Sequence, residues 1–202
     1  MIRYPNYRRA TNAAYELLIH YASFSLATNV FAIAENFLGN CKLLTYGQAS
    51  FLYGYTVGNL LEVSEFGFSI VNGDKRIILY NEAMPLGSIR FTIAHEIGHF
   101  ILKHRDEHDS AVEKEANCFA RNLLCPLPVA CNLCANSVQS YVSLFNVTPK
   151  MATVAFERQE DDRDNISLQN WGLFSEMLEA CMECFVDTDE YNSYLDSSIL
   201  VS

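Results

Sequence analysis

Apolar residues recur every three or four positions in several stretches of the chain, the spacing of helices that bury one face. Two of these stretches carry clear stop signals, because Gly39-Asn40 follows one and Pro126 follows another. The spacing predicts helices over residues 7–22, 30–38, 88–103 and 109–124.

Aromatic and β-branched residues dominate two short stretches, Phe66–Val71 and Lys75–Tyr80. Asn72-Gly73-Asp74 lies between them, and an Asn-Gly pair is a strong hairpin signal. We therefore predict two antiparallel strands there and a further short strand over Cys41–Tyr46. Residues 47–63 follow neither period clearly and stay unassigned.

The C-terminal third predicts short helices and a charged end. Residues 136–156 have the pattern of two helices joined at Asn146–Pro149, and residues 157–165 form a charged connector. Residues 167–185 predict a last helix, followed by a loose tail. Helices that are interrupted by a hairpin in this way indicate the α+β class.

The charge of the chain is concentrated at its C-terminal end. The chain has 202 residues, of which half are apolar, and its net charge is −10. Residues 1–156 hold 12 acidic and 12 basic residues, whereas residues 157–202 hold 12 acidic and 2 basic ones. Direct nucleic-acid binding is not expected, since it needs clustered Lys and Arg. An acidic end favours a basic partner.

No stretch of the chain predicts a membrane span, because the uncharged stretches contain polar residues, glycines or prolines. No apolar run of signal-peptide type follows the basic N-terminus, so we expect a soluble, cytoplasmic protein. The seven cysteines form an odd set, which fits reduced thiols in that compartment.

Two CxxC pairs occur, Cys131/Cys134 and Cys181/Cys184. Four sulfurs of this kind can hold a structural zinc ion, and one pair can act in redox chemistry. Both pairs lie in stretches of helical pattern without the turn residues of zinc knuckles. We therefore expect ordinary small residues there.

The most informative residues are His95-Glu96-Ile97-Gly98-His99, an HExxH sequence on a predicted helix. Histidines four positions apart project from one face and can both bind one zinc ion. Glu96 is then placed to take a proton from a zinc-activated water. Ile93, Ile97 and Phe100 give this helix a buried face on the other side.

A catalytic zinc ion needs a third protein ligand and an open fourth position. The metzincin pattern fails, because Leu102 and Arg105 stand where it requires glycine and histidine. His104 and His108 are possible ligands. The next predicted helix offers Glu113 and Glu115, which flank its apolar face on opposite sides, so periodicity does not choose between them.

The stretch from Arg90 to His104, with its HEIGH sequence, resembles the ImmA/IrrE family of metallo-endopeptidases when taken with Glu113–Pro126. The resemblance covers about residues 60–156 and extends loosely to the helices before residue 40. It implies a zincin-like domain over residues 1–156 with a small mixed sheet, and residues 157–202 as an acidic extension.

The same resemblance implies a zinc endopeptidase with His95, His99 and Glu115 as ligands and Glu96 as catalytic base. Val112 and Phe119 flank Glu115 and would desolvate it, a cost that zinc binding would offset. We expect Glu113 to face solvent or a salt bridge. The implied substrate is a helix-turn-helix transcriptional repressor, as in relatives from mobile elements and stress responses.

Other residues are candidates for supporting roles. Tyr141, Tyr80 and His104 have the chemistry of an oxyanion stabiliser, and the strand Lys75–Tyr80 is a candidate for binding an extended peptide by strand addition. Two rival functions stay open, a non-proteolytic zinc-containing regulator or antitoxin-like binding protein, and a metal-dependent hydrolase of non-peptide bonds.

Overall fold

A computed structural model describes residues 4–21, 25–73, 75–104 and 109–185 of the chain. His108, the side chains of Cys181 and Cys184, and the predicted tail after residue 185 lie outside the described part. Predictions that concern them stay predictions.

Helices form most of the described structure, with one small sheet inserted among them. The strands are β1 (Cys41–Thr45), β2 (Gly67–Asn72) and β3 (Lys75–Tyr80). The helices are α1 (Tyr7–Tyr21), α2 (Val30–Ala32, continued by a π-helical turn over Ile33–Phe37), α3 (Tyr46–Tyr53), α4 (Val57–Val63), α5 (Leu86–Ile101), α6 (Ser110–Leu124), α7 (Leu127–Asn132), α8 (Val138–Phe145), α9 (Pro149–Glu157), α10 (Gln159–Asn165) and α11 (Leu168–Phe185).

The sheet has β3 at its centre, parallel to β1 and antiparallel to β2. Alternate residues of the strands bury opposite faces. Leu43 and Ile78, which are register partners, pack into the main helical core, whereas Leu44 and Leu79 pack against α3 and α4. The predicted hairpin and the α+β class are therefore confirmed.

The segment between β1 and β2, which shows no clear period, forms two short helices that begin at local capping boxes. Thr45 and Gln48 form one capping box and Thr56 and Asn59 form the other. Gly54 ends α3 in the left-handed conformation, with φ at 75°. Capping rather than a strong apolar stripe sets the bounds of these helices.

Strand β2 lies unusually close to α5, because Gly67 has no side chain. A Cβ atom at Gly67 would lie 2.6 Å from Thr92 Cγ2 and 2.5 Å from the Leu79 carbonyl oxygen. Only glycine permits such an approach of strand to helix. The edge strand therefore runs beside the helix that carries the HExxH sequence.

The predicted boundary at residue 156 is not a boundary of packing. Phe174 and Leu178 of α11 are buried in the main core, and Phe174 stacks edge-on against Tyr15 of α1 at 5.5 Å. Residues 159–165, predicted as a connector, are the helix α10. Asp162 of α10 accepts hydrogen bonds of 2.9 and 2.6 Å from Arg121 of α6, so a paired charge connects the acidic segment to α6.

Among the residues that the structure describes, no helix combines the length and the apolar character that crossing a bilayer requires.

The packing of α11 predicts unequal effects for two neighbouring substitutions. Phe174→Ala removes a fully buried ring and should lower the free energy of unfolding by about 3–5 kcal/mol. Leu173→Ala, at a position that is 42% exposed, should change it by about 0.5 kcal/mol or less. Chemical denaturation of the two variants measures the difference. Equal small effects would mean that α11 does not belong to the core.

Candidate metal centre

Two histidines of α5 bring their ring nitrogens together on one face of the helix. His95 and His99 are one turn apart, and their Nε2 atoms lie 3.0 Å from each other. The side chain of His99 is 2% exposed, whereas that of His95 is 16% exposed and lines a cleft. Ile93 and Ile97 anchor the opposite side of the helix in the core. The HExxH prediction of a shared histidine face agrees with this geometry.

The carboxylate beside these two histidines belongs to Glu113 of α6. Its oxygens lie 3.5 Å from His95 Nε2 and 3.3 Å from His99 Nε2. Glu115, which the family resemblance implies as the third ligand, is turned away and instead contacts His104 Nε2 at 2.9 Å. The structure therefore brings Glu113 and not Glu115 beside the two histidines, because α5 packs on the flank of α6 that carries Glu113.

The three side chains fit a divalent metal ion in both chemistry and spacing. His95, His99 and Glu113 each offer one ligand atom, and these atoms lie within 4.8 Å of one another. Tetrahedral zinc with bonds of about 2.0–2.1 Å places its ligand atoms about 3.3 Å apart. The two Nε2 atoms lie 3.0 Å apart, and each has one oxygen of the Glu113 carboxylate at 3.3–3.5 Å, so the spacing is close to that value.

The charges around the cluster set the protonation of its members. Burial and the neighbouring His95 lower the pKa of His99 to about 3, so its imidazole is neutral at neutral pH. Burial also opposes the charged form of His95, but its hydrogen bond to Glu113 and the negative charge of Glu96 outweigh burial and raise the pKa of His95. The hydrogen bond from His95 lowers the pKa of Glu113. Glu113 is therefore ionised at neutral pH.

The orientation of the His95 ring is fixed by a residue of the next helix. His95 Nδ1 donates to Asn117 Oδ1 at 3.1 Å, one helical turn after Glu113 on α6. With its proton on Nδ1, the neutral ring keeps the Nε2 lone pair for a metal ion. The apolar periodicity of α6 predicts its buried face only. It does not predict that Asn117, a polar residue beside that face, orients a histidine of another helix.

The cluster lies in a cleft of about 1030 Å³ between four elements. Glu96, the predicted base, lines this cleft and is itself 6% exposed. The other walls are formed by β2 with the residues before it, by α6 and by α9. They contribute Val63, Phe66, Gly67, Phe68, Ser69, Asn117, Arg121, Lys150, Met151 and Val154.

None of the three proposed oxyanion stabilisers lines this cleft. Tyr141 is buried against Phe145 and Phe156, and Tyr80 packs edge-on against Phe31. His104 is buried behind His99. Their predicted role at the reacting carbonyl is therefore not supported by where they lie.

The Cys131/Cys134 pair lies at the end of α7, where Cys134 is exposed and adopts the left-handed conformation. Cys131 accepts a weak contact of 3.6 Å from Arg163. Both thiols are free, and neither lines the cleft.

Residues 61–156 match the family model of peptidase M78, described as the IrrE N-terminal-like domain. This part of the chain is an IrrE N-terminal-like domain, consistent with an ImmA/IrrE metallopeptidase. The matched segment runs from α4 to α9 and contains every residue of the His95–His99–Glu113 cluster. No curated protein is significantly similar to the chain.

Loss of any one ligand should remove most of the metal from this M78 domain. We expect His95→Ala, His99→Ala and Glu113→Gln each to weaken binding of a divalent ion by at least about a hundredfold, because three protein ligands are the minimum for a catalytic site. Metal content and affinity of the purified chain measure this. His20→Ala and Glu62→Gln, outside the cluster, serve as controls. Full retention of metal in the Glu113→Gln variant would contradict the cluster.

Proposed function

We propose that the protein is a zinc-dependent endopeptidase that cuts a specific peptide bond in a protein partner. The observation that carries the proposal is the cluster of His95, His99 and Glu113 at the side of an open cleft, with Glu96 beside it. When bound there, zinc supplies Lewis acidity toward the scissile carbonyl and the attacking water.

Glu96 does the proton chemistry in this proposal. It follows the first histidine of the cluster and lies close enough to raise the pKa of His95 by its charge. A carboxylate at this place accepts the proton of the attacking water and then gives it to the departing amine. Its burial in the cleft wall keeps competing water away from that transfer.

The edge strand β2, rather than β3, suits strand addition by a substrate. The sequence-based prediction placed the peptide on residues 75–80, but β3 has neighbours on both sides. In the β2–β3 pairing Phe66, Phe68 and Ile70 take the hydrogen-bonded positions, as the Asn81-to-Phe66 bond shows. Ser69 therefore directs its backbone N–H and C=O outward, on the strand that lines the cleft.

The rim of the cleft favours a protein substrate over a small molecule. Val63 and Phe66 line the cleft and are 64% and 47% exposed. In the segment that precedes them in the chain, α3, α4 and the loop between them expose further large apolar side chains, namely Phe51, Leu52, Tyr53, Tyr55, Val57 and Leu61. Large exposed apolar patches are typical of protein-binding sites.

For the partner we propose a helix-turn-helix transcriptional repressor. Support comes from the family resemblance and from the charge of the chain, whose net value of −10 arises entirely after residue 156. DNA-binding domains are basic, so opposite charges would speed their encounter with this protein.

Glu96→Gln separates metal binding from catalysis. We expect this variant to keep its zinc and its fold but to lose at least about a hundredfold in cleavage rate, because the base is gone. The assay uses the purified chain and the purified product of the neighbouring gene, with cleavage followed by mass spectrometry. Glu62→Gln, exposed on α4, is the control. A stable complex that is never cleaved by the wild type would favour a binding protein instead.

Ser69 offers a test of strand addition. Ser69→Pro removes the outward N–H while leaving the β2–β3 bonds in place, and should raise KM about fivefold to tenfold, the worth of one hydrogen bond. Ser69→Ala keeps that N–H and should leave KM nearly unchanged. Zinc affinity should be the same in both variants. An equal KM in the two variants would contradict strand addition on β2.

A further inference from the structure

The two ring nitrogens of His99 face different neighbours. Its Nε2 points to His95 and Glu113, where the metal ligands meet. Its Nδ1 lies 3.0 Å from Nδ1 of His104, and His104 Nε2 lies 2.9 Å from Glu115 Oε2. Three buried side chains are thus connected in a row behind the cluster. Their side chains are only 2%, 1% and 1% exposed.

The end of α5 explains why His104 reaches His99. Lys103 adopts the left-handed conformation, with φ at 52°, directly after the helix. The His104 N–H then bonds to the His99 carbonyl at 3.0 Å, and the Lys103 N–H bonds to the Phe100 carbonyl at 3.1 Å. These two bonds are the Schellman motif, which folds the chain back over the last turn. A helix that continued would have carried His104 to another face.

The contacts of this row permit one direction of hydrogen bonding when His99 serves a metal. A neutral His99 that offers its Nε2 lone pair carries its proton on Nδ1, and so donates to His104 Nδ1. His104 then carries its own proton on Nε2 and donates to the carboxylate of Glu115. Each ring has one donor and one acceptor, so fixing either end fixes the whole row.

Glu115 is held as an acceptor by the N-terminal helix. The backbone N–H of Asn6 donates to its Oε1 at 2.8 Å, and the Arg9 guanidinium lies 3.8 Å from its Oε2. Arg9 also donates to the Leu102 carbonyl, in the turn that precedes His104. Residues at the start of α1 therefore hold both the Glu115 carboxylate and the turn before His104 in place.

We propose that His104 and Glu115 are positioning residues that fix the tautomer and orientation of His99 through this directed row. Asn117 orients His95 through a single hydrogen bond. His99 is connected to the Glu115 carboxylate through two hydrogen bonds, because His104 lies between them. The inference rests on the metal site of the proposed function and adds two residues to it. Outer partners of this kind are typically worth tenfold to a hundredfold in metal affinity.

Zinc titration of the full-length chain against a competing chelator tests the role of His104. His104→Phe keeps a planar ring without donor or acceptor and should weaken zinc binding by about tenfold to a hundredfold. His104→Gln has an amide oxygen to accept and an NH2 group to donate, and should recover most of the loss. Unchanged zinc affinity in a folded His104→Phe variant would overturn the proposal.

Glu115→Gln tests whether the row acts as one unit. The amide has one accepting atom where the carboxylate has two, so it cannot serve both Asn6 and His104, and zinc affinity should fall by a similar factor. The double variant with His104→Phe should lose little more than either single variant, since the same row is broken. Fully additive losses would show two independent effects and contradict a single row.

Histidine tautomers can be read directly in the wild-type chain, without any variant. In zinc-loaded protein labelled with ¹⁵N-histidine, we expect a proton on His99 Nδ1, no proton on His104 Nδ1 and a proton on His104 Nε2. A proton on His104 Nδ1 would overturn the proposed direction. A wild-type chain that binds no zinc would instead contradict the proposed function, so the two failures are distinct.

Discussion

Close contact between α5 and α6 at Gly98 determines where the ligands of the cluster meet. A Cβ atom at Gly98 would lie 3.0–3.3 Å from three carbons of Phe119, whose ring is fully buried. Because glycine stands there, the two helices can approach until the Glu113 carboxylate comes within 3.5 Å of both histidines. A larger residue would move α6 outward and separate ligands that come from different helices.

Because of this contact, the two glutamates of α6 lie in different surroundings. Glu113 lies on the cleft side with 41% of its side chain exposed, whereas Glu115 is 1% exposed behind the histidines. Two positions along a helix turn a side chain by about 200°. One glutamate can therefore meet the Nε2 atoms of the cluster while the other reaches the buried row that ends at His104.

The sequence is sufficient to predict the HExxH face, because the spacing of His95 and His99 contains all the geometry needed. The third ligand could not be derived in the same way. Glu113 and Glu115 flank the apolar stripe of α6 almost equally, and the choice depends on which flank α5 covers, a tertiary contact. The expected desolvation of Glu115 is confirmed by its 1% exposure, but Asn6, Arg9 and His104 compensate it rather than a metal ion.

Similar limits explain the segments that pattern alone did not predict. All seven residues of helix α10 are polar and five of them are charged, so its sequence indicates a solvated connector. One of them, Asp162, is nevertheless 4% exposed, because Arg121 of α6 pairs with it through two hydrogen bonds. A partner more than forty positions away in the sequence cannot be read from a local window.

The uneven burial of the cluster has a consequence for catalysis. His99 is enclosed by the core and by His104, so its position is set by the fold and not by the substrate. His95 and Glu113 are more exposed and line the cleft, where β2 and α9 form the opposite walls. A catalytic metal needs one coordination position open to substrate. If His95, His99 and Glu113 hold such an ion, a substrate would reach it from this cleft, where β2 can present outward N–H and C=O groups to an extended peptide.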